Sequence, residues 1–461
     1  MPKPNVVLIL VDDMGYGDFS AFNGGLSDTP VLDGLIEESV CLTQHYAGSC
    51  VCAPSRAALM SGRYPHRTGA IDTLDARGLD RLALREMTMG DTFQAAGYAT
   101  GLVGKWHLGA ADPRYHPNAR GFAEFAGFRG GWWDYYDWTL DCNGSFREAD
   151  GRYLTDVFTD EATGFIARHS DEPFFLHLTY NAPHGPFEAP QEEIDLFADR
   201  PGLNTGVRTL YGMIHRMDSG VGQVLDELER QGVADNTIVL FTSDNGPQFG
   251  GEGDMRTHRF NCGFNGAKGS VYEGGIRLPM IVRWPDGLEG GRQVDEMVHF
   301  TDWLPTLAAA SEVEMPDGEP LDGWNVWPAL QGEPGKVNTR RFWQWNRYTP
   351  VVESNAAMRD GKWKLVRPQI GAAHYLSPEE YALDRATKRD PESRTDICRD
   401  PEPVREIPEP PVPELYNIAD DPEEQYDLAG EQPERAAKML AELEIWFEEV
   451  EAERATIDDE W

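Results

Sequence analysis

The sequence predicts an α/β protein with a large, mostly parallel sheet sandwiched by helices, followed by a smaller C-terminal α+β domain carrying an antiparallel sheet. Three observations predict it. Short β-branched or aromatic runs alternate with helical periodicities through the first two thirds of the chain. Four of those runs end in polar clusters, and the pattern changes past residue 335. At 461 residues the chain is long enough for a large core plus a second unit. The expected division is 1–335 and 336–461.

Taken in order, Asn5 to Val11 reads as a strand and runs into Asp12-Asp13. A helical pattern from Leu84 to Ala96 stops at Gly97, and Tyr98 to Val103 then runs into Gly104-Lys105-Trp106-His107. Asp156 to Arg168 reads as a helix before the strand Pro173 to Tyr180, which leads into Asn181-Ala182-Pro183-His184. Leu210 to Gln231 is a helix stopped by Gly232, and Thr237 to Thr242 ends at Ser243-Asp244-Asn245-Gly246. Strands alternating with helices imply a parallel sheet covered on both faces. In the second unit, Arg341 to Tyr348 and Asn355 to Arg367 read as antiparallel strands, and Pro433 to Arg454 as a long amphipathic helix. Pro368 to Pro413, rich in Pro and charge, reads as an irregular excursion. No internal repeat is apparent.

Ligands of open α/β sheets bind outside the carboxyl ends of the strands, so the four polar clusters are expected to meet in one site. Any one of them alone reads more simply as a turn or a helix cap. Asp12, Asp13, Asp244 and Asn245 offer hard oxygen ligands suited to Ca²⁺ or Mg²⁺ rather than zinc.

The net charge of −37 argues against nucleic acid or an anionic membrane as partner, because both demand clustered cations. Lysine is scarce, occurring only at 3, 105, 268, 336, 362, 364, 388 and 438. Acidic surplus with few lysines fits a saline setting, where surface repulsion is screened. The amino terminus offers only the six apolar residues Val6 to Val11, too few for a signal-peptide core or a membrane span. The chain as it stands is therefore expected to be cytoplasmic, or periplasmic or secreted if a leader was trimmed. Six cysteines without regular spacing predict no disulfide or metal framework. Oligomeric state is not readable.

The run Cys52-Ala53-Pro54-Ser55-Arg56-Ala57-Ala58-Leu59-Met60-Ser61-Gly62-Arg63 places a cysteine at a helix start, with Pro54 suited to the first helical position. Free amides and the helix dipole there attract an anion such as a sulfate or phosphate ester. A lone cysteine near a helix start is commonly inert packing. The whole run, however, resembles the signature by which type I, formylglycine-dependent sulfatases of the alkaline phosphatase superfamily present a cysteine for oxidation. A rival reading takes Cys50 and Arg56 as the Cys-x5-Arg of a cysteine phosphatase, although the loop lacks the glycines that a phosphate cradle favours.

The resemblance extends to Gly97 through Gly109, to Ala182-Pro183-His184-Gly185-Pro186, and to Lys268 through Arg277. It continues in Gly361 to Leu365, Glu414 to Asn417 and Asp421-Pro422-Glu423, departing at Tyr426-Asp427-Leu428, where relatives often show an Asn-Leu pair. It implies an alkaline phosphatase-like fold and an arylsulfatase-like sulfuric ester hydrolase. Asp12, Asp13, Asp244, Asn245 and the modified Cys52 would hold Ca²⁺, and a formylglycine-generating enzyme would act in maturation. It further implies that Arg56 pins the formylglycine hydrate, Lys105 touches it and the sulfate, and His107 helps deprotonate it. Lys268 would bind sulfate, and His184 would bind it and protonate the leaving oxygen, as a histidine near its ordinary pKa suits general acid catalysis.

For the substrate, Trp132, Trp133, Tyr135, Tyr136 and Trp138 form an aromatic cluster interleaved with aspartates, which suits a sugar ring or equally a core hairpin. The loop with Asp72, Asp75, Arg77 and Asp80 is a second candidate for selectivity. Asp75, Arg77, Trp132 and Trp133 are thus expected to join Lys105, His184 and Lys268 in binding a sulfated carbohydrate, with aryl sulfates as surrogates. Two other classes share these features: a phosphodiester or phosphonate ester hydrolase of the same superfamily, and a non-catalytic, metal-dependent binder of sulfated glycans.

Overall fold

Asn5–Val11 (β1) is buried along its whole length, and its side chains divide by the two-residue period of a strand. Val6, Leu8 and Leu10 enter one apolar cluster, and Val7, Ile9 and Val11 enter another on the opposite face. The first cluster packs the helices Cys52–Ser61, Met89–Ala95 and Trp303–Ala310 on the sheet. The second packs Leu154–His169 and Thr205–Arg230. A strand buried on both sides cannot alternate apolar with polar, which accounts for the unbroken run in the sequence.

The structure, a computed structural model, describes residues 3–333, 337–390 and 396–458. The remaining strands of the large sheet are Val40–Tyr46 (β2), Ala99–Lys105 (β3), Glu124–Phe128 (β4), Thr139–Cys142 (β5), Ser145–Glu148 (β6), Phe174–Thr179 (β7), Thr237–Ser243 (β8), Arg277–Arg283 (β9), Arg292–Val294 (β10) and Val298–His299 (β11). Their order is β10-β2-β9-β8-β1-β7-β3-β4-β5-β6, with β11 also on β2. The central run β8-β1-β7-β3-β4 is entirely parallel. Antiparallel pairs flank it through β9 on one side and β5-β6 on the other.

A second sheet is wholly antiparallel and comprises Arg340–Gln344 (β12), Ala356–Asp360 (β13), Trp363–Arg367 (β14) and Glu414–Asn417 (β15). Met439, Leu443, Trp446 and Val450 of the helix Pro433–Arg454 cover its Met358, Leu365 and Leu415. Trp343 and Val366 share an apolar cluster with Tyr46 and Val51, which joins this sheet to the large one.

Several expected elements differ in extent. The helix expected from Leu84 begins at Met89, because Thr88 caps it: its hydroxyl accepts from the Asp91 amide at 3.0 Å while the Asp91 carboxylate accepts from the Thr88 amide at 2.9 Å. Asn355 to Arg367 is two strands joined at Gly361, whose φ of +59° suits the turn. The strand expected to reach Tyr348 stops at Gln344, and Tyr348 donates its amide to Asp72 at 3.1 Å. Within the expected irregular excursion lies a helix, Pro378–Arg389, capped by Ser377, which accepts from the Glu380 amide at 3.1 Å. It buries Asp384, Thr387 and Lys388 rather than an apolar stripe, so hydrophobic periodicity did not reveal it. The expected boundary at 335/336 and positions 391–395 of the excursion lie outside the described residues.

Candidate active site

The parallel strands deliver their carboxyl ends to one place. The Asp12 amide donates to Ala182 O at 3.1 Å and the Asp244 amide to Val11 O at 3.0 Å, which locks the ends of β1, β7 and β8 together. Asp12, Asp13 and Asp244 are buried there, with carboxylate oxygens within 4.8 Å of one another. Three such charges are tolerable only because each meets a cation. Lys105 Nζ lies 2.6 Å from Asp12, Lys268 Nζ 2.7 Å from Asp13, and Arg56 2.8 Å from Asp244. Burial pushes the Asp12 and Asp13 carboxyls up, but Lys105 and Lys268 respectively, each helped by His184, hold them below the ordinary carboxylate value. At Asp244, burial and the Asp12 charge outweigh Arg56, and its pKa is raised.

Asn245 Nδ2 donates to Asp13 at 2.7 Å, while its Oδ1 is buried with no hydrogen-bond partner. An orphaned amide oxygen beside three carboxylates is a donor set for a hard divalent cation. The residues therefore fit calcium or magnesium.

Cys52 is the first residue of its helix, and Pro54 is the third rather than the first, as the sequence suggested. Its Sγ lies 3.6 Å from Asp12 Oδ1 and groups with Asp12 and His184. Burial pushes the thiol up to about 11 against the pull of Lys105 and Lys268, so an unmodified Cys52 is a poor thiolate nucleophile at neutral pH. Arg56 does not turn toward Cys50. It donates to Asp244 at 2.9 Å, to Lys105 O at 3.1 Å and to Thr179 Oγ1 at 2.6 Å. Cys50 receives a long contact from Asn355 Nδ2 at 3.7 Å and its thiol is raised to about 12. The cysteine-phosphatase arrangement is absent from this site.

His107, with φ of +57°, sets its Nε2 3.0 Å from Asp75, and its Nδ1 is buried without a partner. Burial and the surrounding cations Lys105 and Lys388 hold His107 well below its ordinary pKa, so the ring is neutral. Asp75 is itself pushed well above its ordinary value by burial, despite Lys388 at 3.5 Å. His184 directs Nδ1 to Gly185 O at 2.6 Å; a carbonyl only accepts, so Nδ1 carries hydrogen and Nε2, 3.6 Å from Asp13, faces the site. Burial and Lys268 lower its pKa.

A cavity of about 450 Å³ opens over these groups, with Cys52, His107, His184 and Lys268 in its wall. Of the residues expected to bind substrate, Trp132 lines it, and Asp75 stands behind His107. Trp133 faces a neighbouring cavity instead, its ring tilted 39° to Phe128 and its Nε1 donating to Asp137 O at 3.1 Å. Arg77 is turned away, pairing with Glu380 and donating to Asp400 O at 2.8 Å. Tyr135 and Trp138 are core residues.

The sequence reading did not single out Thr179, Lys388 or Asp384. Lys388 donates to Thr73 O at 2.6 Å and Asp384 at 2.5 Å, and so brings the Pro378–Arg389 helix to the Asp75–His107 pair. Its one signal in the sequence was rarity, since the chain has only eight lysines.

The sulfatase family profile matches residues 4–313, and the profile of the N-sulphoglucosamine sulphohydrolase C-terminal region matches 264–409. The chain belongs to the sulfatase family and is a sulfatase. It is 30% identical to human arylsulfatase A over 93% of this chain and 83% of that protein. It is 32% identical to the uncharacterized sulfatase YdeN of Escherichia coli K12, over 80% of this chain and 73% of that one. Among solved structures, Ps i-CgsB, crystallised with k-i-k-neocarrahexaose, superposes with a TM-score of 0.79 at 30% identity, covering 96% of this chain and 92% of that one. The phosphonate monoester hydrolase of Silicibacter pomeroyi, at 20% identity, 96% and 94% coverage and a TM-score of 0.63, shares the fold. No helix among the described residues is long and apolar enough to cross a membrane.

Proposed function

We propose that this sulfatase hydrolyses a sulfate monoester of a carbohydrate, using Cys52 after its oxidation to formylglycine and a divalent cation, Ca²⁺ or Mg²⁺, at Asp12, Asp13, Asp244 and Asn245. The observation that carries the proposal is the placement of Cys52 at a helix start within reach of Asp12 and His184, under the field of Lys105 and Lys268. The cation would add positive charge against the sulfuryl oxygens, as preorganised charge is commonly the largest catalytic contribution. Hydrated formylglycine would supply one hydroxyl to attack sulfur as the ester S–O bond to the alcohol breaks, and a second whose deprotonation would re-form the aldehyde as the C–O bond to sulfate breaks. Lys105 and Lys268 bind the sulfuryl oxygens; Arg56, packed behind, balances Asp244. His184 gives the proton from Nε2 to the departing alcohol. Neutral His107, oriented by Asp75, takes the proton from the second hydroxyl.

The test joins the mass of the Cys52 peptide, from protein made with a formylglycine-generating enzyme, to sulfate release from 4-nitrophenyl sulfate and to the metal content of the purified protein. The expected result is loss of the cysteine sulfur, gain of an aldehyde oxygen, and turnover with bound calcium or magnesium. Unmodified Cys52 without turnover would overturn the proposal in favour of a glycan binder. Turnover of phosphate diesters equal to that of sulfate esters would favour the phosphonate or phosphodiester reading.

The net charge of −37 surrounds a cavity that must admit an anion. Screening of the outer field should help entry until it weakens the local attraction. Sulfate release is expected to rise with ionic strength and then fall. A monotonic decline from low salt would contradict this.

A further inference from the structure

The charged residues lining the cavity invert the balance of the chain. Acids outnumber lysine and arginine by 78 to 41 overall, yet the wall carries Lys268, Arg347, Arg385 and Lys388 against Asp134 and Asp384. Both of those aspartates are already paired, Asp134 with Arg389 and Asp384 with Lys388. Lys268 is held by Asp13, and Arg347 by Asp72 at 2.8 Å. Arg385 is different. Among the described residues no carboxylate lies within ion-pair distance of it, and its guanidinium sits 5.3 Å from the centroid of Trp132. Arg389, one turn further along the same helix, lies 5.2 Å from that ring as well. A guanidinium on an aromatic face keeps its full charge, and Arg385, exposed on its helix, stays open to an anion.

Lys105, Lys268 and the proposed metal serve the sulfate that is cleaved. Arg385 is carried by the Pro378–Arg389 helix, whose Lys388 reaches Asp75 behind His107, and it borders the same cavity. We infer that Arg385, seated on Trp132, is a subsite for a second oxyanion of the substrate, a carboxylate or a further sulfate separate from the ester being hydrolysed. The substrate class is then a polyanionic glycan rather than a singly sulfated neutral one. This rests on the sulfatase reading above and deepens it.

The test uses phenyl sulfates extended at the para position by arms of graded length ending in a neutral amide, a carboxylate or a sulfonate. Turnover is measured on formylglycine-bearing protein, and binding by calorimetry on protein with Cys52 unmodified. At the arm length that reaches Arg385, an anionic arm is expected to raise kcat/KM and affinity at least tenfold over the neutral arm. Arg385→Ala should abolish that preference, Arg385→Lys should retain part of it, and both should leave 4-nitrophenyl sulfate turnover within twofold. Preference for one anionic arm distinguishes carboxylate from sulfate. Equal treatment of neutral and anionic arms at every length, or a preference that survives Arg385→Ala, would overturn the subsite. Absence of all turnover with the calorimetric preference intact would count against the catalytic reading and support the subsite.

Discussion

Replacing Cys52 by Ala is expected to lower sulfate release from 4-nitrophenyl sulfate by about four to six orders of magnitude, the range seen when a covalent nucleophile is removed. The fold should survive. Cys52 Sγ makes one long contact, 3.6 Å to Asp12, and the helix that carries the residue is anchored by Ala57, Ala58, Leu59 and Met60 in the core. Loss of a single buried sulfur should cost about 1 kcal/mol, visible as a small shift in thermal midpoint. The decisive comparison is therefore activity against melting curve on the same sample. A variant that melts normally and still releases sulfate within tenfold of the parent would remove Cys52 from the reaction.

His184→Ala has the second largest expected effect, and it depends on the leaving group. Nδ1 is committed to Gly185 O at 2.6 Å, so only Nε2 is available to protonate a departing oxygen. An alkoxide leaving from a sugar needs that proton, whereas nitrophenolate departs without it. Loss of general acid catalysis should cost about 10²- to 10⁴-fold on a sugar sulfate and far less on 4-nitrophenyl sulfate, read as the ratio of kcat/KM for the two. Equal losses on both would assign His184 to sulfate binding alone. Because Lys268 and burial already lower the His184 pKa, the free enzyme holds this proton weakly near neutrality; a bound anionic ester opposes Lys268 and restores it. The alkaline limb of kcat is accordingly expected at higher pH than that of kcat/KM.

Much of the candidate site was legible in the primary structure because its residues sit directly after strands whose apolar runs are unmistakable. Val6 to Val11 is buried on both faces, and a parallel sheet sends every such strand end to the same edge, so the sequence already implies that Asp12, Lys105, His107, His184 and Asp244 converge. The aromatic run, by contrast, was ambiguous. Trp132 on the cavity and Tyr135 in the core are chemically alike, and the chain direction between them is set by β5, Tyr153 and the His184 loop.

What the sequence alone determined is the parallel core, the antiparallel second sheet, the convergence of Asp12, Asp13, Asp244 and Asn245 and the placement of Cys52 at a helix start. Only the tertiary structure decided that Arg77 turns away to Glu380, that Trp133 faces another cavity, and that Pro378–Arg389 forms a helix carrying Lys388 to Asp75 and Arg385 to the cavity wall. The physical reason is the range of the interactions. Burial along one element leaves a periodic trace in its own residues, whereas a polar helix held by ion pairs to a distant loop leaves none until the two segments meet.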